Sequence, residues 1–178
     1  MRRYTFEHET VMTIVSARDA FRGTPEIQVK SAAPGWTCLH IAPELPLKER
    51  VVGFFRSQML KDLSAELREQ LITAMDELLG NALEHGCKAE PKLGVELSYI
   101  RTSRSILLHL RDAGPGFSLD SLHHAAVNNP PEDPLRHTNF RSEMGLRPGG
   151  YGIMLVKKIA DELIYNETGN EVLFIKYL

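Results

Sequence analysis

The sequence predicts an α+β fold in which amphipathic helices pack on one face of an antiparallel sheet. Residues 95–100 and 105–111 alternate apolar and polar side chains, as neighbouring antiparallel strands with one buried face do. Between Ser64 and His85, apolar residues recur at helical spacing and form one stripe: Leu67, Leu71, Met75, Leu78 and Ala82. This stripe predicts a helix that packs on the sheet.

The other elements follow in a regular order from Trp36 onward. We expect a strand at 36–41, a helix at about 47–60, the helix from Ser64 to about His85, the two strands above, a helix opened by Gly149 to Gly152 and running to about Leu163, and strands at 164–167 and 172–177. Residues 1–35 are harder to interpret, although 11–15 fit a short strand. We therefore predict an N-terminal extension of unknown role at 1–35 and one domain at 36–178.

Composition excludes several classes of function. The 178 residues suit a single domain, and a net charge of -2 gives no reason to expect direct nucleic-acid binding. Cys38 and Cys87 lie far apart without metal-ligand spacing, so we expect two reduced thiols. No apolar run approaches the ~18 residues of a membrane span, and acidic residues interrupt the N-terminus. We expect a soluble cytoplasmic protein without membrane contact.

A long polar segment interrupts the pattern at about 118–148. It is rich in Pro, Asn, His and Arg, and no apolar periodicity is visible in it. Structureless stretches of this length inside a compact domain are either functional lids or disordered inserts. We interpret His123 and His124 as solvated residues of this segment.

Three short motifs carry the chemistry. Glu77 and Asn81 lie one helical turn apart and face the same way. The run 112–117 (DAGPGF) ends a strand, and 150–152 (GYG) opens a helix. Each motif alone fits a solvated helix face, a tight turn or an ordinary helix start, but their order along one chain is specific.

Each motif has a use in binding Mg²⁺ and ATP. The Asp112 carboxylate at a strand end can accept a hydrogen bond from the adenine amino group. Glycines let the backbone approach a nucleotide closely, and the N–H groups at a helix start favour phosphate oxygens. The Asn81 amide oxygen is a hard ligand of the kind that Mg²⁺ accepts. The sequence therefore predicts a split site for ATP and Mg²⁺.

These motifs resemble those of the GHKL (Bergerat-fold) ATPases. Residues 75–86 (MDELLGNALEHG) resemble the N box, 112–117 the first glycine box and 149–163 the second. The resemblance covers most of 36–178. It implies a two-layer α/β sandwich, with a mixed, mainly antiparallel sheet covered on one face by helices and ATP bound under a mobile lid.

Within that superfamily, the chain resembles the anti-sigma-factor serine kinases. Gyrase-like, mismatch-repair and chaperone members need a further domain, for which we expect no room. Sensor histidine kinases carry a phosphoacceptor His on a helical hairpin, and neither His8 nor His40 has such surroundings. The run 81–86 (NALEHG) and the helix end at 159–163 (IADEL) followed by a hairpin are similar to the small serine kinases.

The resemblance implies a role for each matching residue. Glu77 would be the general base for an acceptor serine, Asn81 would hold Mg²⁺ and Asp112 would bind adenine. The residues that would shape the nucleotide pocket are Gly114, Gly116, Phe117, Gly149, Gly150 and Gly152. Arg141 and Arg147 are the candidate lid cations for phosphate. His85 and Glu84 fit a place in the pocket or a structural role equally well.

The same resemblance suggests partners and leaves alternatives open. The expected substrate is a protein of the anti-anti-sigma type, a sigma factor is a second candidate partner, and a homodimer is compatible with the family. One alternative is an anti-sigma or adaptor module that binds ATP with little turnover. Another is a detached catalytic domain that phosphorylates a histidine on a different protein.

Overall fold

The described residues form one six-stranded sheet with helices against it. The structure is a computed structural model, and it describes residues 16–33, 35–87, 93–118, 122–145 and 149–178. The strands are β1 (Ile27–Ala33), β2 (Trp36–Ile41), β3 (Val95–Arg101), β4 (Ser105–Asp112), β5 (Glu162–Tyr165) and β6 (Glu171–Tyr177). Their order is β1-β2-β3-β4-β6-β5, and each of these neighbouring pairs is antiparallel. The α+β prediction is confirmed.

The helices cover one face of this sheet. They are α1 (Ala17–Ala20), α2 (Pro46–Phe54), α3 (Ala65–Asn81) and α5 (Gly152–Ile159), whereas a further helix, α4 (Arg136–Glu143), lies in the polar segment. The core between the layers is fully buried and consists mainly of Leu39, Leu97, Tyr99, Leu108 and Phe174 from the strands and Leu71, Met75 and Leu79 from α3. Burying one such side chain contributes about 1.5–3 kcal/mol, so this layer contact holds α3 firmly on the sheet.

The other face of the sheet carries more exposed side chains. Because the strands are in register, Trp36, Ile100, Leu107 and Ile175 form one row across β2, β3, β4 and β6. Trp36 is 49% exposed and Ile100 is 37% exposed. The alternation along each strand therefore separates a buried face from an open one.

Helix α3 begins as the sequence predicts and ends differently. The Ser64 hydroxyl accepts a hydrogen bond from the Leu67 N–H at 3.3 Å and caps the helix. The regular helix stops at Asn81, and one wider π-helical turn, Ala82–Gly86, completes the expected length. Such turns often occur at functional sites, and this one carries the last residues of the N box.

The sheet begins before the domain boundary expected from the sequence. Strand β1 pairs with β2 from Ile27, opposite Ile41, to Ala33, opposite Trp36. Phe21 packs on Phe54 at a ring-centroid distance of 5.0 Å, which joins α1 to the same core. Residues 27–33 escaped prediction because an edge strand rich in small and polar residues has no clear apolar alternation. The short strand expected at 11–15 lies outside the described residues.

The polar segment contains regular structure where none was expected. Within the lid segment, which we define as residues 122–145, Ala126–Asn128 form a 3₁₀ turn and Arg136–Glu143 form α4. His137 is fully buried there. Its backbone N–H donates to Asn129 Oδ1 at 3.0 Å, and Asn129 Nδ2 donates to its Nδ1 at 2.6 Å. Helix α4 depends on this buried side chain rather than on an apolar stripe, so periodicity could not find it.

The last helix and strand are shifted from their predicted bounds. Helix α5 ends at Ile159 because Ala160 adopts extended backbone geometry. Leu163 therefore lies in β5, which spans Glu162–Tyr165 rather than 164–167. Among the described helices, none has the length and apolar character needed to cross a membrane.

Candidate nucleotide site

A cavity of about 370 Å³ lies between α3, the turn after β4, the lid segment and the start of α5. This volume is in the range of small-molecule sites, about 300–1,000 Å³. The predicted site residues that line it are Glu77, Asn81, Asp112, Gly116, Phe117, Arg141, Gly150 and Gly152. Gly114 and Gly149 are not among the residues that line it, and Arg147 falls outside the described residues. Residues distant in sequence thus meet around one space.

One wall of the cavity brings Glu77 against the start of α5. A Cβ atom on Gly152 would overlap Glu77 Oε2, so the carboxylate lies directly on the backbone of this glycine. The first N–H groups of a helix have no partner within the helix, and its dipole is positive at that end. Glu77 therefore faces a partly positive region, with Asn81 one turn further along the same wall.

Asp112 lies at another end of the cavity and is fixed from several directions. Its Oδ1 accepts the Gly114 N–H at 2.8 Å, and its carboxyl is in the space that a side chain on Gly86 would need. Burial raises the pKa of Asp112, although the hydrogen bond from Gly114 acts in the opposite direction. A half-buried carboxylate of this kind gains from a further hydrogen-bond donor.

The β5–β6 hairpin supplies cavity residues that the sequence motifs did not indicate. The side-chain Nδ2 of Asn170 donates to the backbone carbonyl oxygens of Asp112 and Gly114, both at 3.3 Å. The backbone carbonyl of Asn170 accepts the Asp112 N–H at 3.0 Å. Tyr165 packs edge-on against Phe117 with a ring-centroid distance of 5.5 Å. Burial raises the pKa of Tyr165 to about 12, so its hydroxyl remains neutral. Asn170 thus holds the glycine-box turn while Phe117 and Tyr165 form an aromatic surface.

The lid segment forms the remaining wall of the cavity, and the position of one of its two histidines differs from the sequence interpretation. His124, expected to be solvated, is half-buried and lines the cavity, whereas His123 is exposed as expected. Arg141 Nη1 donates to the His124 carbonyl oxygen at 3.2 Å. Gly150, at φ +89°, leaves no room for a side chain because that same carbonyl lies against it. The lid and the second glycine box are therefore in direct contact.

The ends of the N box differ in their relation to the cavity. His85 lines it, whereas Glu84 is exposed and lies outside the lining.

A family model described as the histidine kinase-like ATPase domain matches residues 47–176, which include every cavity residue named above. The chain belongs to this family. Among curated proteins, none matches the chain.

The histidine kinase-like ATPase domain confirms the superfamily expected from the three boxes, and a domain of this type binds ATP. Within the described residues, no group of three or more His, Cys, Asp and Glu side chains could hold a metal ion. Cys38 and Cys87 are free thiols, as expected.

Proposed function

We propose that this histidine kinase-like ATPase domain is a protein-serine kinase of the anti-sigma-factor type. The observation that carries the proposal is the placement of Glu77, which shares one cavity with Asn81, Arg141 and the start of α5. A domain that only bound ATP would have no need of a carboxylate beside the phosphates of the bound nucleotide. A general base for a hydroxyl acceptor needs one there.

The proposed mechanism assigns one task to each wall. Asp112 accepts a hydrogen bond from the adenine amino group, and Phe117 and Tyr165 contact the base. Asn81 would supply an amide oxygen to Mg²⁺, and the bound metal would neutralise phosphate charge. Glu77 takes the proton from the hydroxyl group of the acceptor serine. The serine oxygen then bonds to the γ-phosphorus of ATP, and ADP leaves. Such transfer depends chiefly on positioning and charge stabilisation.

The proposed substrate is a partner protein of the anti-anti-sigma type, and a sigma factor is a second proposed partner. This reaction would take place in the cytoplasm. The family pattern supports this choice, because the run 81–86 and the hairpin after α5 are the features that the chain shares with the small serine kinases. Partners can be isolated from a native lysate on the immobilised chain, with ATP and with ADP.

The decisive experiment compares Glu77→Gln with the unchanged protein. Transfer of labelled γ-phosphate to the isolated partner should fall by about 10²–10⁴-fold, the usual contribution of a positioned base. ATP binding should persist because glutamine has the same shape and leaves Asn81 intact. Glu84→Gln is the matched control, since it alters an exposed carboxylate outside the cavity.

The product separates the alternatives. Phosphoserine survives acid, whereas phosphohistidine does not, so an acid-labile product would favour the detached histidine-phosphorylating domain. Normal transfer by Glu77→Gln would remove the proposed base. Stable ATP binding with no transfer by the unchanged protein would favour the adaptor module.

A further inference from the structure

Three basic residues from separate elements line the cavity beside the lid segment. His85 belongs to the π-helical turn after α3, His124 to the first part of the lid segment and Arg141 to α4. Arg141 and His124 are joined through the hydrogen bond from Arg141 Nη1 to the His124 carbonyl. The cavity therefore has one side where positive charge can accumulate.

The carboxylates that line the same cavity have other contacts. Glu77 lies on Gly152, and Asp112 accepts the Gly114 N–H. Glu171 Oε1 lies 2.6 Å from His109 Nε2. Burial lowers the pKa of His124. Within the part of the chain that the structure describes, the charged groups that lower this pKa further are basic, namely Arg141, His85 and the neighbouring His123. These surroundings of His124 therefore favour its neutral form over its protonated form.

A nucleotide reverses this balance because its phosphates bring several negative charges to the same place. We propose that His124 becomes protonated when ATP binds and, with Arg141 and His85, forms a proton-linked subsite for the terminal phosphates. This inference rests on ATP occupying the cavity as in the proposed function. One solvent proton would be taken up by the imidazole for each ATP bound, and no covalent bond changes.

The direction of the pH effect follows from linkage. His124 begins with a pKa below the ordinary histidine value of 6.5, and the phosphates raise that pKa in the complex. When the pH lies between the pKa of His124 without ATP and its pKa in the complex, ATP binding takes up a proton. The affinity for ATP therefore falls as the pH rises through this range. One proton corresponds to about tenfold in affinity per pH unit at most. Above the pKa of the complex, affinity becomes independent of His124.

Calorimetry on the full chain measures this proton directly. ATP with Mg²⁺ is titrated in buffers of different ionisation enthalpy between about pH 6 and pH 8, the range in which histidine titrates. We expect proton uptake with ATP and much less with adenosine, which lacks phosphates. His124→Gln should abolish the difference, and His123→Gln, its exposed neighbour, should retain it. The titration of ATP itself is common to all variants and cancels.

A second variant keeps the test independent of folding damage. His124→Lys carries a permanent charge, so its ATP affinity should stay near the acid-side value and lose its dependence on pH. Equal uptake in His124→Gln and the unchanged protein would overturn the inference, as would equal uptake with adenosine. The kinase proposal is judged separately. Proton uptake without phosphoryl transfer would support the proton-linked subsite and contradict the kinase proposal. Phosphoryl transfer without proton uptake would refute the proton-linked subsite and leave the kinase proposal intact.

Discussion

The two sides of the nucleotide cavity are built in different ways. The wall formed by α3, the β4 turn and the β5–β6 hairpin rests on a fully buried core and on close contacts of glycine backbone. The lid segment is polar. It is tied to Gly150 by one backbone hydrogen bond from the Ala126 N–H, and it also depends on contacts made by the side chains of Asn129 and Arg141. Backbone contacts leave few alternatives, whereas side-chain contacts can exchange. We infer that the wall sets the geometry of binding and the lid responds to the ligand.

The largest effect should come from a glycine in the wall. A Cβ on Gly114 would overlap the Gly86 carbonyl oxygen, which belongs to backbone and cannot rotate away. Gly114→Ala should lower the free energy of unfolding by about 3 kcal/mol, measured by denaturant titration. In the lid segment, Gly145 has φ +64° and open space around it, so Gly145→Ala should cost only about 1 kcal/mol.

Gly53→Ala provides the control for this comparison. Gly53 lies exposed in α2 with nothing near its missing side chain, so alanine should stabilise the protein by about 1 kcal/mol. If Gly114→Ala proved as mild as Gly145→Ala, the wall would be as adaptable as the lid, and the comparison would fail.

Asp112→Asn should separate binding from stability within the wall. The variant loses the charged acceptor that we propose for adenine, and such a hydrogen bond is worth about 1.5–3 kcal/mol, or roughly tenfold or more in ATP affinity. Burial raises the pKa of Asp112, so its ionised form costs folding free energy at neutral pH. The variant without nucleotide should therefore unfold at an equal or higher temperature, while ATP raises that temperature less than in the unchanged protein.

The pH dependence of this effect has a definite sign. Because the pKa of Asp112 is raised in the folded state, its cost appears as the pH rises above the ordinary aspartate value of 3.8. The advantage of Asp112→Asn should disappear in acid. Unchanged ATP affinity in this variant would remove Asp112 from the adenine site.

In the lid, we expect a smaller change that depends on nucleotide. Trypsin should cut at Arg136 or Arg141 several-fold more slowly when ATP and Mg²⁺ are present, because the ligand orders α4. Asn129→Ala removes both hydrogen bonds to His137 and should speed this cleavage, with little change in the unfolding temperature. Equal cleavage with and without ATP would indicate that the segment does not act as a lid.

The smallest expected effect is a loosening of the lid in acid. Burial lowers the pKa of His137, and the nearby Arg141 lowers it further. The stability that this neutral side chain gives is present above its ordinary pKa of 6.5 and is lost as the pH falls through the lowered value. Amide exchange of α4, corrected for intrinsic rates, should increase there, while exchange in β3 stays slow. Parallel increases in both would mean global unfolding.

The same contrast explains what the sequence could predict. Ser64, the stripe on α3 and the alternation in β3 and β4 are local patterns. Each of these elements formed where expected, except that the last turn of the predicted helix is π-helical. Glu77, Asn81 and Asp112 lie inside recognisable motifs. Asn170 and Tyr165 enter the cavity only because β6 pairs with β4, a long-range contact that no local pattern encodes. Helix α4 depends on one buried histidine, and β1 is an edge strand, so neither has a periodic signature.

The row of side chains on the open face has a practical optical consequence. Trp36 is the single tryptophan of the chain. It stands at the start of β2, and the other end of that strand, Ile41, pairs with Val95, which pairs with Asp112. The indole is thus about a strand length from the end of the cavity where Asp112 lies, and on the opposite face of the sheet. The fluorescence of Trp36 should change when the protein unfolds and stay constant when nucleotide is added. Nucleotide binding must therefore be followed with a fluorescent reporter placed in the lid segment.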